Sequence, residues 1–225
     1  MILRKIEIVN RSVDTEFSYS LRKKSKHITN YISRTCLQKL KFRSDTFDII
    51  VISLDEAGRE VCIINKGLVI PVLFDKIAYN NLDTENAIRV FHKSNIICGL
   101  KKVRNQYDIP ENAIIESLSK LETNGFRNEW LFKKKVDRRR KIEVELNCKL
   151  SIYKFELVLQ IAIVGKVICE QIVLETDPDE VAFYHLFKDI MIDDDTISVP
   201  ARISGNLLEY SIGTGNLKIN KLIMD

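Results

Sequence analysis

The sequence predicts an α+β protein of 225 residues, with strands at both ends of the chain and helices in the middle. Apolar residues recur at helical spacing in the middle of the chain, whereas short β-branched runs separated by Gly and Asn turns dominate both ends. The composition, 45% hydrophobic and 29% charged, is that of an ordinary globular protein and argues against global disorder. We therefore expect three segments: a β-rich segment over residues 1–79, a helical module with a hairpin over 80–147, and an acidic β-rich domain over 148–225.

The first segment is predicted to contain several strands beside one helix. Ile28, Ile32 and Cys36 stand at helical intervals and predict a helix over residues 25–40. Apolar runs predict strands at about residues 2–9, 48–54, 61–64 and 68–74. Pro71 lies in the last of these runs and favours an edge strand or a bulge, because proline cannot donate to a β-ladder.

Three helices are predicted in the middle of the chain, over about residues 84–91, 96–107 and 111–123. Pro110 precedes the third helix, where a first turn tolerates proline because the missing N–H has no partner there anyway. Asn124 and Gly125 end that helix, since Gly readily adopts the left-handed conformation of a helix stop. Gly99 weakens the second helix by roughly 1 kcal/mol relative to Ala.

The densest charge cluster of the chain follows these helices and reads Lys133-Lys134-Lys135-Val136-Asp137-Arg138-Arg139-Arg140-Lys141. Strand-like runs flank it, so a basic hairpin is predicted. The rest of the chain predicts a hairpin over residues 155–175, turning at Gly165, and a helix over about 181–191. Three closing strands are predicted at 197–203, 207–212 and 217–223.

The run from Val103 to Phe126, VRNQYDIPENAIIESLSKLETNGF, resembles the second and third helices of GntR-type winged-helix repressors. The shared features are a helix ending in Gln-Tyr, a short turn carrying Ile109, and a helix ending in Leu-Glu-x-x-Gly-Phe. The resemblance covers about two dozen residues strictly and residues 80–147 as a winged-helix-like module. It implies that the helix after Pro110 enters a major groove and that the basic hairpin is the wing.

The resemblance predicts a non-enzymatic DNA-binding protein with a role in transcription regulation, and RNA is an alternative polyanion. The cations of the hairpin neutralise phosphates and release counterions, whereas two polar residues of the helix can read base edges. The predicted nucleic-acid-binding residues are Lys133, Lys134, Lys135, Arg138, Arg139, Arg140, Lys141, Asn112 and Ser119.

The charge distribution and the helix after Pro110 also support an interpretation without nucleic acid. Residues 1–79 carry a net charge of +5, residues 80–141 carry +6, and residues 142–225 carry −7. This asymmetry suits a polyanion, and it equally suits a homodimer or a protein complex in which the two ends meet. Ile115 stands on the expected outer face of the helix, where an aliphatic side chain suits a protein partner. The alternative is therefore a protein-binding inhibitor, an antitoxin or an immunity-type protein.

The remaining signals argue against enzymes, metal sites, cofactors and membrane spans. His27, His92 and His185 stand in no metal-ligand spacing, and no phosphate-binding glycine loop or nucleophile motif occurs. Asp193-Asp194-Asp195 is interpreted as a solvated acidic turn. The five cysteines are odd in number and form no C-x-x-C pair, which favours a reducing cytoplasm. No run approaches ~18 uninterrupted apolar residues, so no membrane partner is expected.

Overall fold

The computed structural model describes residues 1–11, 14–55, 57, 59–202 and 205–220. The chain divides into two compact units, Met1–Asn128 and Glu129–Asp225. Helices and strands occur together, so the α+β class is confirmed. The division differs from the three segments that the sequence predicts. The helices of the expected module 80–147 share the core of the first unit, and its basic hairpin belongs to a sheet of the second.

The first unit combines a four-stranded sheet with helices. Its elements are β1 (Lys5–Asn10), α1 (Thr15–Ile32), a π-helical stretch (Ser33–Leu37), α2 (Gln38–Leu40), β2 (Ile49–Asp55), β3 (Cys62–Ile64), β4 (Gly67–Leu73), α3 (Lys76–Asn80), α4 (Glu85–Val103) and α5 (Glu111–Thr123). The strand order is β1-β2-β4-β3, with β1 and β4 parallel to β2 and β3 antiparallel to β4. The parallel β1–β2 pair requires a long crossover connection, and α1 supplies it.

Helix α1 begins about ten residues before the predicted start. Asp14 caps it by accepting a hydrogen bond of 3.0 Å from the N–H of Phe17. The polar run from Arg22 to Lys26 conceals the helix in the sequence, because only Leu21 marks its apolar side there. The helical chain passes through the π-helical stretch and ends at Lys41, which has a positive φ of 50°.

The position of β4 corrects the expectation of an edge strand. β4 lies between β2 and β3, although Pro71 stands within it. β3 pairs only with Gly67–Val69, so at Pro71 the chain has a neighbour on the β2 side alone. The proline therefore lies at a locally unpaired edge of an interior strand, which explains how the sheet tolerates it.

Helix α4 is continuous from Glu85 to Val103, where the sequence predicts two helices. The polar residues between the two predicted helices are accommodated within it, since buried Asn95 donates to the carbonyl oxygen of Phe91 at 2.8 Å. Gly99 is required by packing, because a Cβ there would lie 2.6 Å from Cδ1 of Ile52. Helix α5 ends at Thr123 as predicted, and Gly125 follows it with a φ of 62°.

The second unit consists of two four-stranded antiparallel sheets with one apolar core. Its elements are β5 (Glu129–Asp137), β6 (Ile142–Leu150), β7 (Phe155–Ile163), β8 (Lys166–Thr176), α6 (Glu180–Phe183), β9 (Met191–Ile192), β10 (Thr196–Pro200), β11 (Asn206–Ser211) and β12 (Leu217–Ile219). The sheet orders are β5-β6-β7-β8 and β12-β11-β10-β9. Burial alternates along β6, which is typical of a strand with one face on a core.

The predicted helix over residues 181–191 is wrong beyond its first turn, since α6 ends at Phe183. The aromatic residues of this segment pack against the core without forming a helix. Phe183 stacks on Phe155 with ring centroids 3.7 Å apart, and Phe187 lies buried beside the same ring. Parts of the closing strands predicted at 197–203 and 217–223 lie outside the described residues. Among the described helices, none combines the length and apolar character needed to cross a membrane.

Candidate interaction surface of the second unit

The predicted nucleic-acid-binding residues are distributed over both units. Asn112 and Ser119 lie on α5 in the first unit, and the seven cations lie on the β5–β6 hairpin in the second. A winged-helix module would hold both groups within one compact domain. The helix pair and the basic hairpin are both present, but they do not share a unit.

Helix α5 has one buried face and one polar face, as its apolar stripe predicts. Ile114, Leu118 and Leu121 are buried in the core of the first unit. On the opposite face Asn112 is exposed, while the hydroxyl of Ser119 donates to the carbonyl oxygen of Ile115 at 3.0 Å.

Charges on the polar face of α5 are paired or acidic. Glu116 and Lys120 form an ion pair of 2.7 Å, and Glu122 binds Lys93 of α4. Ile115 is half-buried, so it is less available to a partner than the sequence suggested. This face carries no cation without an acidic partner among the described residues, which makes it poorly suited to phosphates.

The basic cluster forms the predicted hairpin, with β5 and β6 in register from Glu129 opposite Lys149 to Asp137 opposite Ile142. Because strand side chains alternate, Lys133 and Lys135 stand on the core side of β5, opposite Leu146 and Val144.

Lys133 and Lys135 contact the segment that leads into β9. Lys133 forms an ion pair of 3.2 Å with Asp189, and the ammonium of Lys135 donates to the carbonyl oxygen of Ile190 at 2.9 Å. The backbone N–H of Ile190, followed by Lys133, lowers the pKa of the Asp189 carboxyl group. These two lysines therefore hold the hairpin to the second sheet.

Lys134 points to the other side of β5 and binds two carboxylates of β6. Its ammonium lies 2.5 Å from Glu143 and 2.9 Å from Glu145. These hydrogen bonds, that of Glu143 first, raise the pKa of Lys134. The positive charge is thus compensated within the sheet.

Arg140 is a fourth cation with internal partners. Its Nε donates to Asp137 at 2.7 Å, and its Nη1 donates to the carbonyl oxygens of Asp193 at 2.7 Å and Asp194 at 2.5 Å. The hydrogen bond from the backbone N–H of Arg140, followed by that from its side chain, lowers the pKa of Asp137. Four of the seven predicted phosphate contacts therefore bind groups of the chain itself.

Three cations of the cluster remain without an acidic partner in the described part of the chain: Arg138, Arg139 and Lys141. They occupy the β5–β6 turn. The N–H of Val164 donates to the carbonyl oxygen of Lys141 at 2.9 Å, which brings the β7–β8 turn beside this one. Lys166, exposed and likewise without an ion pair there, joins them. We refer to Arg138, Arg139, Lys141 and Lys166 as the cationic tip.

The side of β5–β8 that is turned away from the core, here called the outer face, carries three rows of side chains. The row next to the cationic tip is Val136, Glu143, Ala162 and Val167. The middle row is Lys134, Glu145, Gln160 and Glu170. The far row is Leu131, Asn147, Val158 and Ile172. The aliphatic side chains on both edge strands, Leu131, Val136, Val167 and Ile172, are between 44% and 48% exposed.

Two open grooves cross the outer face. One, of about 420 Å³, begins at Arg138 and Lys141 and runs between Val136 and Val167. The other, of about 300 Å³, lies around Leu131. Both reach Gln160 in the middle row, so the outer face offers a depression at either end that is lined by aliphatic and polar side chains together.

Two features of this surface were not predicted from the sequence. The first is that the acidic segment from Asp189 to Asp194 binds part of the basic cluster, and the negative charge of this segment is the sequence feature that could have indicated it. The second is that four half-exposed aliphatic side chains share one face of the sheet, which only the register of four strands shows. Asp193, Asp194 and Asp195 are exposed, and Asp195 accepts a hydrogen bond of 3.0 Å from the N–H of Gly213.

The described residues contain no cluster of three side chains able to hold a metal ion. His27 and His92 are both buried within the first unit. Comparison of the chain with protein-family models, curated proteins and solved structures found no match. The resemblance to GntR-type repressors therefore stays a prediction.

Proposed function

We propose that the chain is a non-enzymatic docking protein, and that its second unit binds another folded protein through the outer face and the cationic tip. The single observation that carries the proposal is the set of four aliphatic side chains left half-exposed on one sheet face, Leu131, Val136, Val167 and Ile172. Exposed apolar side chains gathered on one face of a folded domain often mark an interaction site.

The composition of the surface favours a protein over a nucleic acid. Protein interfaces bury apolar side chains beside polar ones, and the outer face has half-exposed aliphatic side chains at either end with the charged middle row between them. Completing the burial of each half-exposed aliphatic side chain contributes roughly 1 kcal/mol. Val136 and Val167 offer neither charge nor hydrogen bonds to a phosphate group. The expected partner therefore presents an apolar patch bordered by carboxylates.

Nucleic-acid binding is a second candidate, because one observation favours it. The cationic tip concentrates four cations without acidic partners among the described residues. If all four contact phosphates, the logarithm of the binding constant falls with the logarithm of salt concentration with a slope of about −3.6. Seven contacting cations of the original cluster predict a slope of about −6.

The experiment compares two variants of the full chain in partner binding and in DNA binding. The face variant carries Val136→Ser and Val167→Ser, and the tip variant carries Arg138→Ala, Arg139→Ala and Lys141→Ala. Val181→Ser is the matched control, because Val181 is an exposed aliphatic residue of the same unit outside the outer face. Products of neighbouring genes, co-expressed with the tagged chain, are the first partners to test.

The proposal predicts that a partner co-purifies with the wild-type chain and the control, and that the face variant loses it. The tip variant is expected to retain the partner with weaker affinity at low salt. Fluorescence titration with duplex DNA at two salt concentrations tests the second candidate. DNA binding that the tip variant abolishes and the face variant leaves unchanged, with no protein retained by any chain, contradicts the docking proposal.

A further inference from the structure

β8 forms one of the two edges of the four-stranded sheet in the second unit. In the order β5-β6-β7-β8, β8 pairs with β7 on one side, and no described strand pairs with its other side. β8 spans eleven residues, Lys166–Thr176. From Lys166 to Ile172 every residue except half-buried Cys169 is exposed, so the described part of the chain places no layer of side chains over this stretch.

The two edges of the sheet differ in how they resist pairing with another strand. β5 carries three consecutive lysines, and charged side chains on an edge strand are a common barrier to edge-to-edge association. Two of them also reach across to Asp189 and Ile190. Between Val167 and Leu174 the only charged residue of β8 is Glu170. Ile168 and Ile172 of the same stretch are exposed aliphatic residues. β8 is therefore the edge at which the sheet can be extended.

The charges of β8 are polarised along its length. The strand begins at Lys166, inside the cationic tip, and ends at Thr176, with exposed Asp177 directly after it. Glu175 also lies at this end, where it shares Lys154 with Glu156. An antiparallel neighbour of the same sequence places the cationic end of each strand beside the acidic end of the other. A parallel neighbour of the same sequence places like charges together, which is unfavourable.

We propose that a second copy of the chain occupies this edge, with β8 pairing antiparallel to β8 across a two-fold axis. Such isologous contacts are the commonest way in which identical chains assemble. The midpoint of β8 is Gln171, whose amide can both donate to and accept from the amide of its copy. A register centred on Glu170 opposes two carboxylates instead. The axis therefore passes at Gln171, and Lys166 lies opposite Thr176 of the second copy, next to Glu175 and Asp177 along that strand.

The dimer is expected to be weak. Irregular pairing with β7 at two places leaves Cys169–Ile172 as the regular stretch in the middle of β8. Bulges of this kind limit the number of backbone hydrogen bonds that a new neighbour can add. The proposal does not depend on a protein partner, because the backbone groups at the edge of β8 make the contact, although this strand also contributes Val167 and Ile172 to the outer face.

Sedimentation of the full chain between about 5 and about 200 μM tests the proposal, at low and at high salt. The mass is expected to rise towards that of a dimer with concentration, and less so at high salt. Gln171→Lys opposes two ammonium groups at the axis and should weaken self-association at least about tenfold. Gln160→Lys, on the neighbouring strand but on the outer face, is the matched control and should leave self-association unchanged.

A charge exchange gives the second measurement. Lys166→Glu and Glu175→Lys should each weaken self-association, and a mixture of the two variants should regain part of it. A chain that stays monomeric at the highest concentration overturns the proposal. A dimer equally sensitive to Gln171→Lys and Gln160→Lys also overturns it, whether or not a protein partner binds the outer face.

Discussion

The two units of the chain use different means to hold their cores together. The first unit buries many polar side chains, among them Lys26, His27, His92 and Asn128, whereas the described core of the second buries almost only apolar ones. The first unit carries 21 Lys and Arg against 15 Asp and Glu, and the second carries 14 against 16. The stability of the first unit should therefore fall on protonation of buried groups and on loss of single hydrogen bonds. The stability of the second unit should fall chiefly on loss of packing.

The histidines of the first unit provide the largest expected contrast. His27 and His92 are each 1% exposed. The Nε2–H of His27 donates to the carbonyl oxygen of Phe126 at 2.7 Å, and Nε2 of His92 has no hydrogen-bond partner in the described structure. Burial lowers the pKa of His27 to about 4 and that of His92 to about 3. Both rings are neutral at pH 7.

Because these pKa values lie below those of the unfolded chain, the unfolded state binds more protons as the pH falls below about 6.5. The stability that the two neutral rings permit is present above pH 6.5 and is lost progressively towards pH 4. At pH 5 each histidine lowers the free energy of unfolding by about 2 kcal/mol. Hydrogen exchange should show α1 and α4 opening on acidification before β6 and β7.

His92→Phe is the sharper form of this prediction. The ring lies among Tyr79 and Phe91, so an aromatic side chain fits the site. The variant should make the stability of the first unit less dependent on pH between 6.5 and 4. An unchanged pH dependence, or both units opening at the same pH, means that these histidines are not its source.

Asn128→Ala should be the next largest effect. The buried amide donates to the carbonyl oxygen of His27 at 2.8 Å and to Asn30 at 3.2 Å, and it accepts from Arg34 at 2.8 Å. Removing it leaves buried groups without partners and should cost the first unit about 2–3 kcal/mol. Urea unfolding followed by hydrogen exchange measures this, with exposed Asn112→Ala as the control expected to change little.

Gly99→Ala tests the close packing of α4 on the sheet. Alanine favours a helix by about 1 kcal/mol, but its Cβ meets Cδ1 of Ile52 at 2.6 Å. We expect a net loss of about 1–2 kcal/mol from overpacking. Ile52→Val removes the opposing carbon atom, so the double variant should recover part of the loss. A more stable Gly99→Ala protein contradicts the packing described for α4.

The smallest predicted effect concerns the second unit. Arg140→Ala removes two hydrogen bonds to the carbonyl oxygens of Asp193 and Asp194 and should lower its stability by about 1 kcal/mol. Arg139→Ala, one residue away in the cationic tip, should leave stability unchanged. Thermal unfolding of the two variants compares a cation with internal partners and one without. Equal effects indicate that the internal contacts of Arg140 contribute nothing.

Local features of the fold could be predicted from the sequence because short-range chemistry determines them. The turn at Pro110, the helix stop at Gly125 and the hairpin around the basic cluster all follow from neighbouring residues. The continuity of α4 could not be predicted, because Asn95 satisfies its buried amide within the helix and Gly99 serves a distant strand.

The interaction surface was harder to predict, because it depends on residues far apart in the chain. Arg139 has no acidic partner in the described structure. Arg140 binds Asp137 nearby and also the carbonyl oxygens of Asp193 and Asp194, which lie more than fifty residues away. The rows of the outer face likewise require the register of β5 to β8. Charge density in the sequence indicated the region of the candidate surface, whereas tertiary contacts determine which of its charges are available.

Hydroxyl-radical footprinting of the full chain with and without its co-purified partner tests most directly whether the outer face is the docking surface. We predict protection of Leu131, Val136, Val167 and Ile172, with α5 unchanged. Protection confined to α5 and the β5–β6 turn, with the aliphatic rows as reactive as in the isolated chain, would contradict the proposal and favour the winged-helix interpretation.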